Sequence, residues 1–215
     1  GNLEKSVRRM ITENDPEKHS SLTIHNKYSI NPAKVSYLED IAVYWSYTER
    51  IRMLRRGAVK VQSEIAKGNK EEVLKSLILK YLEVREEIRE KIEQVKSSCW
   101  SEKMIGIHVR HTDRRIALRK YLKPLNRMLA KFPGATIFLA TDDHKVVNQF
   151  REWYPCVASS HKWYPNVGES MHQNKDCPDK ITNGIEALVD MYLLAECDAL
   201  IYPQNSTFSW ISAIL

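Results

Sequence analysis

The residues able to do chemistry are concentrated in three short stretches of this chain. The first reads Ile107-His108-Val109-Arg110-His111-Thr112-Asp113-Arg114-Arg115. If it ends a strand, residues two apart point the same way, so His108 and Arg110 share a face. A guanidinium held there can grip a phosphate with a fixed fork of donors; the plainer reading is a basic turn leading into a helix. The second stretch, Phe138-Leu139-Ala140-Thr141-Asp142-Asp143, ends in adjacent carboxylates. Such a pair can hold a hard cation through oxygen, but it can equally cap a following helix, and capping or loop organisation is the reading taken here.

The third stretch runs from Ile185 to Asp198, then through Ala199 to Tyr202 and on to Asn205-Ser206-Thr207-Phe208-Ser209. Asp190 interrupts a mostly apolar helix. It is either a solvent-facing acid, one turn from Glu186, or a carboxylate that accepts two parallel N–H bonds from a guanine edge, and spacing leaves both open. Asn205, Ser206 and Thr207 precede the last helix, where free amides and hydroxyls can hold a phosphate. They also spell an Asn-x-Thr glycosylation sequon, but a short loop beside the ligand edge of a sheet is a poor place for a glycan.

Composition narrows the setting for these groups. With 215 residues, 43% hydrophobic and 28% charged, the chain fits one large domain or two small ones and is not a disordered polymer. It has no apolar run near the roughly 18 residues of a membrane helix, and Gly1 to Met10 carries charge where a signal core would be apolar. Gly1 and the apolar run Trp210 to Leu215 read as cut edges, so the compartment stays unassigned. Lys plus Arg exceeds Asp plus Glu by 33 to 27, a net charge of +6 that favours anionic partners. The basic residues are scattered among acids with no recognition motif, so nucleic acid is not the expected partner. Cys99, Cys156, Cys177 and Cys197 match no metal knuckle or dense disulfide framework and read as free thiols. GxGxxG, Walker, GxSxG and HExxH patterns are all missing, which removes the common dehydrogenase, P-loop, serine-hydrolase and zincin readings.

The hydrophobic rhythm supplies the scaffold. Residues 1 to 70 give mixed signals: a turn at Asn31-Pro32, a helix from Lys34 to Arg56, and a break at Gly68-Asn69. From Glu71 to Val95, apolar residues at three- and four-residue steps predict one long amphipathic helix. After Trp100, short apolar runs alternate with helical patterns. Strands are expected at Met104 to Val109, Ala135 to Ala140, Cys156 to Ser159 and Ala199 to Tyr202. Helices are expected at Arg119 to Phe132, from Asp142 or Asp143 through Trp153, at Gly184 to Glu196, and from Phe208 onward, with a polar loop reaching Thr182. Alternation of this kind means parallel βαβ units in an open α/β sheet, and ligands then collect beyond the carboxyl ends of strands, after Val109, Ala140 and Tyr202.

In that order the motifs HVRHTD, LATDD, ALVDMYLLAECDALI and NSTFS resemble the α1,6-fucosyltransferase group, which includes the core fucosyltransferase of N-glycans and the rhizobial nodulation fucosyltransferase. The resemblance covers about residues 74 to 215. It implies a GT-B-like enzyme, with residues 101–215 as a Rossmann-like nucleotide-sugar-binding domain and 1–100 as a mainly helical remnant of the acceptor-side domain. It further implies an inverting, metal-independent transfer of fucose from GDP-fucose to a glycan acceptor, with no cofactor beyond that donor substrate. Carried over position by position, His108 and Asp190 would hold the guanine, and Arg110 and Ser206 the β-phosphate. His111, Asp113, Asp142 and Asp143 would be supporting motif residues, and His172 falls near a family histidine.

Two departures from the family pattern stand out. The usual HVRR reads HVRH, so His111 stands where a second arginine is expected, and Arg114 or Arg115 would have to compensate. The glutamate expected as general base has no counterpart from Arg114 to Lys120, which leaves the base unassigned. The rival readings are a related transferase using another nucleotide sugar and a catalytically impaired nucleotide-sugar-binding module.

Overall fold

The computed structural model describes residues 22–25, 41–44, 68–112, 116–166, 169, 171 and 174–215. The chain divides into two units, Gly1–Leu77 and Ile78–Leu215. In the first, strands β1 (Leu22–His25) and β2 (Ile41–Tyr44) pair in parallel, Leu22 opposite Ile41 and His25 opposite Tyr44. The helix expected over Lys34 to Arg56 is therefore corrected at its centre, and the rest of that span lies outside the described residues. A run such as Ile-Ala-Val-Tyr suits either state, and its β-branched and aromatic members favour the strand once a partner is available.

Helix α1 (Lys70–Tyr81) begins at the expected break. Gly68 takes φ +86°, and Asn69 and Glu72 cap each other: the Asn69 N–H donates to Glu72 Oε2 at 2.8 Å and the Glu72 N–H to Asn69 Oδ1 at 2.9 Å. The single helix expected from Glu71 to Val95 is two helices. α2 (Glu86–Cys99) follows a four-residue break at 82–85. Ile88 and Ile92 of α2 are buried, whereas Leu79, Tyr81 and Leu82, at the end of α1 and the start of the break, are 65–67% exposed. The break lets Val84 turn in beside Ile88 and Ile92.

The second unit continues with β3 (Met104–Val109), α3 (Arg119–Lys131), β4 (Thr136–Thr141), α4 (His144–Trp153), β5 (Val157–Ala158), α5 (Lys180–Ala195), β6 (Ala199–Ile201) and α6 (Thr207–Ile214). Its four strands lie in the order β5-β4-β3-β6, all parallel, with His108 opposite Ala140 and Ile107 opposite Ile201. Both faces of the sheet are covered. Ile105, Ile107, Val109, Ile137 and Leu139 pack against Leu125 of α3 and Val146, Val147 and Phe150 of α4. On the other face Met104, Phe138, Ala140 and Ala158 pack against Ile88 and Ile92 of α2 and Val189, Leu193 and Leu194 of α5. Burial on both sides is why β3 and β4 read as unbroken apolar runs.

Helix α5 starts four residues ahead of the expected Gly184, because Asp179 caps it: Oδ1 accepts the N–H groups of Ile181 and Thr182 at 2.9 and 3.0 Å. Gly106 permits the tight seat of β3 against the turn after α5. A Cβ on Gly106 would stand 3.0 Å from both Cys197 Sγ and Leu200 Cδ1. Burial pushes the Cys197 thiol up to about 12. All four cysteines are free, and Cys156 is the exposed one.

Candidate functional site

The carboxyl ends of β3 and β4, the middle of α5, the start of α6 and the segment after β5 converge on one open cavity of about 180 Å³. Its wall includes His108, Arg110, Asp142, Lys162, Asp190 and Phe208. Strand alternation does place His108 and Arg110 on the same cavity. His108 is fixed by α6: its ring packs against Phe208 at 5.0 Å between centroids, and Nδ1 engages Ser209 Oγ and lies 3.3 Å from Ser206 Oγ. Burial, reinforced by the positive charges of Lys162 and Arg110, pushes the His108 pKa down to about 3. The ring is therefore a neutral imidazole, and with Nδ1 engaged, Nε2 is the nitrogen left for a ligand.

Ser206 caps α6. Its hydroxyl accepts from the Ser209 N–H at 3.3 Å and from Ser209 Oγ at 3.1 Å. It touches His108, which lines the cavity, and is not itself on the cavity wall.

Asp142 and Asp143 organise the chain. Asp142 Oδ1 accepts the His111 N–H at 2.7 Å and its Oδ2 accepts Thr112 Oγ1 at 2.6 Å, tying the segment after β3 to the end of β4. Asp143 Oδ1 caps α4 through the Lys145 N–H at 2.9 Å, and its Oδ2 lies 2.9 Å from His111 Nδ1. Among the described residues, no group of three His, Cys, Asp or Glu side chains is placed to hold a metal ion. Asp113, Arg114, Arg115 and His172 lie outside the described residues.

Asp190 is not the solvent-facing acid of the plainer reading; it is 3% exposed. Ser160 Oγ donates to its Oδ1 at 2.5 Å, and Lys162 Nζ forms a buried ion pair with its Oδ2. Glu186, one turn earlier, accepts the Trp163 N–H at 3.3 Å, so both acids on this side of α5 bind the segment after β5. Lys162 also stands 5.6 Å from the Tyr164 ring centroid. Sequence reasoning missed Ser160 and Lys162. The signal was available: they lie two apart just beyond the carboxyl end of a parallel strand, the position inspected for the other three.

Fold and site together define a Rossmann-like α/β unit with a cavity at the carboxyl edge of its sheet into whose wall Arg110, Asp142, Lys162 and Asp190 bring charge. Residues 64–215 match the family described as Nodulation protein Z (NodZ), and the chain belongs to that family. A Nodulation protein Z of Azorhizobium caulinodans is 28% identical over 153 residues, covering 63% of this chain and 46% of that protein. Its counterpart in Bradyrhizobium diazoefficiens is 29% identical over 151 residues, covering 61% and 40%. Among solved structures, NodZ alpha-1,6-fucosyltransferase soaked with GDP-fucose aligns with a TM-score of 0.54 at 26% identity, covering 79% of this chain and 60% of that one. The same enzyme co-crystallised with GDP aligns with a TM-score of 0.53 at 26% identity, covering 78% and 59%. The chain thus spans about half the length of the curated relatives it matches.

Proposed function

We propose that this chain carries the donor site of an inverting glycosyltransferase that takes fucose from GDP-fucose to a glycan acceptor. The observation that carries the reading is the cavity that holds Arg110 and Asp190 together. A guanidinium suits a diphosphate, and a buried carboxylate suits the adjacent N–H donors of guanine. Asp190 and the neutral His108 hold the base. Arg110 binds the β-phosphate, with Ser206 contributing from the start of α6, and stabilises the charge that grows on the departing diphosphate. His111, Asp113, Asp142 and Asp143 support this arrangement. The donor domain is residues 101–215 together with α2, whose Ile88 and Ile92 share its core; the earlier residues belong to the acceptor side.

The transfer is metal-independent in this reading. Supporting it, the carboxylates of Asp142 and Asp143 already accept from His111, Thr112 and Lys145, and Arg110 supplies positive charge at the cavity. Among the described residues no helix is long and apolar enough to cross a membrane. Calorimetric titration with GDP, UDP and ADP, each with and without EDTA, tests the donor assignment: GDP binds most tightly and EDTA changes nothing. Equal affinity for the three diphosphates overturns it, and preference for another base selects a transferase using a different nucleotide sugar.

A second reading, a binding module that has lost catalysis, is favoured by one observation: no glutamate stands between Arg114 and Lys120. Incubation with GDP-fucose and glycan acceptors separates the two, since a module binds GDP-fucose without releasing GDP.

A further inference from the structure

Lys162 is a lysine buried to 7% exposure on the wall of the cavity, and neither helix capping nor the core requires an ammonium there. Its Nζ pairs with Asp190 Oδ2, while Ser160 Oγ donates to Oδ1. Each carboxylate oxygen carries two lone pairs, so these two contacts fix the carboxylate and still leave one acceptor site on each oxygen. The ammonium likewise has three donors and uses one on Asp190. The cavity wall therefore offers a donor and two acceptors, Lys162 Nζ, Asp190 Oδ2 and Asp190 Oδ1, with Ser160 Oγ holding Oδ1.

Guanine presents the complementary order along its pairing edge: the O6 acceptor, the N1–H donor, then the N2 amino donor. We infer that Lys162 is a donor-specificity residue that reads guanine O6, with Asp190 Oδ2 accepting N1–H and Oδ1, beside Ser160, accepting the N2 amino group. This assignment rests on the proposal that Asp190 meets guanine and adds the register in which it does so. The opposite register would set the N2 amino group against an ammonium, donor to donor. Adenine is refused twice in this frame: its 6-amino group faces Lys162 and its unprotonated N1 faces Oδ2. Uracil satisfies the lysine and one oxygen but sets its O2 against the other. An unpaired polar group in a buried site is what makes such discrimination large.

Calorimetry on the unmodified chain with GDP, IDP, ADP and 6-thio-GDP separates the two claims. IDP keeps O6 and N1–H but lacks the N2 amino group; 6-thio-GDP keeps both donors but replaces O6 by a poor acceptor. GDP should exceed IDP, through Asp190, and exceed 6-thio-GDP by about tenfold, through Lys162. In Lys162→Met the 6-thio-GDP penalty should shrink towards unity while the preference over IDP persists. GDP, IDP and ADP binding alike overturns the Asp190 reading and this one with it. GDP exceeding IDP but equalling 6-thio-GDP overturns the role of Lys162 alone and leaves it a structural partner of Asp190. Because the thio comparison needs no substitution, it decides the question even if Lys162→Met does not fold.

Discussion

Asp142 and Asp143, at the end of β4, and Asp190, inside α5, are carboxylates at the same edge of one sheet, but their oxygens keep different company. The β4 pair ties the chain together: both oxygens of Asp142 accept from the segment after β3, and Asp143 divides its oxygens between the α4 cap and His111. Asp190 is gripped by Ser160 and Lys162 on the cavity wall, away from any helix end. Asp143 caps α4 through an amide two residues away and Asp142 accepts the backbone amide of His111, whereas Asp190 meets two side chains, one of them a buried ammonium. The tertiary fold brings distant partners to both clusters, 30 to 32 residues away for the β4 pair and 28 to 30 for Asp190, and what sets Asp190 apart is the charge of its partner. Residue type and adjacency point to the aspartate pair as the more chemical of the two clusters; the hydrogen bonds reverse that ranking.

The comparison breaks most visibly at Asp190. Asp190→Ala removes the proposed guanine acceptor and leaves the Lys162 ammonium buried without its partner. Loss of one member of a buried pair costs on the order of 3–5 kcal/mol, so denaturant melts should show a large destabilisation. Titrations below the new midpoint should show no preference for GDP over ADP. Persistence of that preference would return Asp190 to a purely structural role.

Acid provides the next largest effect on the cavity side. His108 has its pKa pushed down to about 3, against about 6.5 in an unfolded chain. The unfolded state therefore takes up the proton first. The neutral ring's contribution is fully present above about pH 6.5 and is lost as pH falls towards 3, on the order of a few kcal/mol by pH 4. Urea midpoints measured from pH 7 down to 4.5 should fall, and His108→Gln should flatten that slope. An unchanged slope would mean that His108 does not dominate the acid limb.

Arg110→Ala should weaken GDP about ten- to hundredfold while leaving guanosine nearly untouched, because the guanidinium addresses the diphosphate and not the base. Lysine at 110 should recover part of the loss, since it restores charge without the fork, and Arg115→Ala should cost less. Equal losses for GDP and guanosine would move Arg110 off the phosphate. The smallest change is expected at the β4 pair. Asp143→Ala should lower stability by about 1 kcal/mol through loss of the α4 cap and reduce GDP affinity far less than Asp190→Ala. EDTA should shift neither quantity; restoration of activity by manganese or magnesium after chelation would make the pair a metal site after all.

How much of this was legible beforehand follows from which interactions are local. β3 stands where its apolar run predicts, Met104–Val109, and β4 is displaced by one residue, because a strand covered on both faces has no other composition available. The α4 cap was readable because Asp143 and Lys145 are two residues apart. The start of α5 was misread because its core-packing apolar pattern sets in only at Ile185, five residues after its first helical residue, Lys180. Burial of Asp190 could not be read from α5, where Glu186 repeats the acid one turn earlier and suggests a wet face. What buries it is the aperiodic segment carrying Ser160 and Lys162, brought across by the sheet order that sets β5 beside β4. The division of the 71–95 stripe was equally hidden, because the stripe is continuous in sequence while Tyr81 and Leu82 lie exposed and Ile88 and Ile92 buried.

The close seat of β3 against the end of α5 has a practical side. Cys197, pressed against Gly106, holds its proton up to about pH 12, so almost none of it is present as the thiolate that attacks maleimides or iodoacetamide. Cys156, by contrast, is exposed, and it immediately precedes β5 and the segment that delivers Ser160 and Lys162. Dye conjugation near neutral pH should therefore favour position 156 and place a fluorophore at the root of that segment, giving an optical reporter of what the cavity takes up without any engineered cysteine.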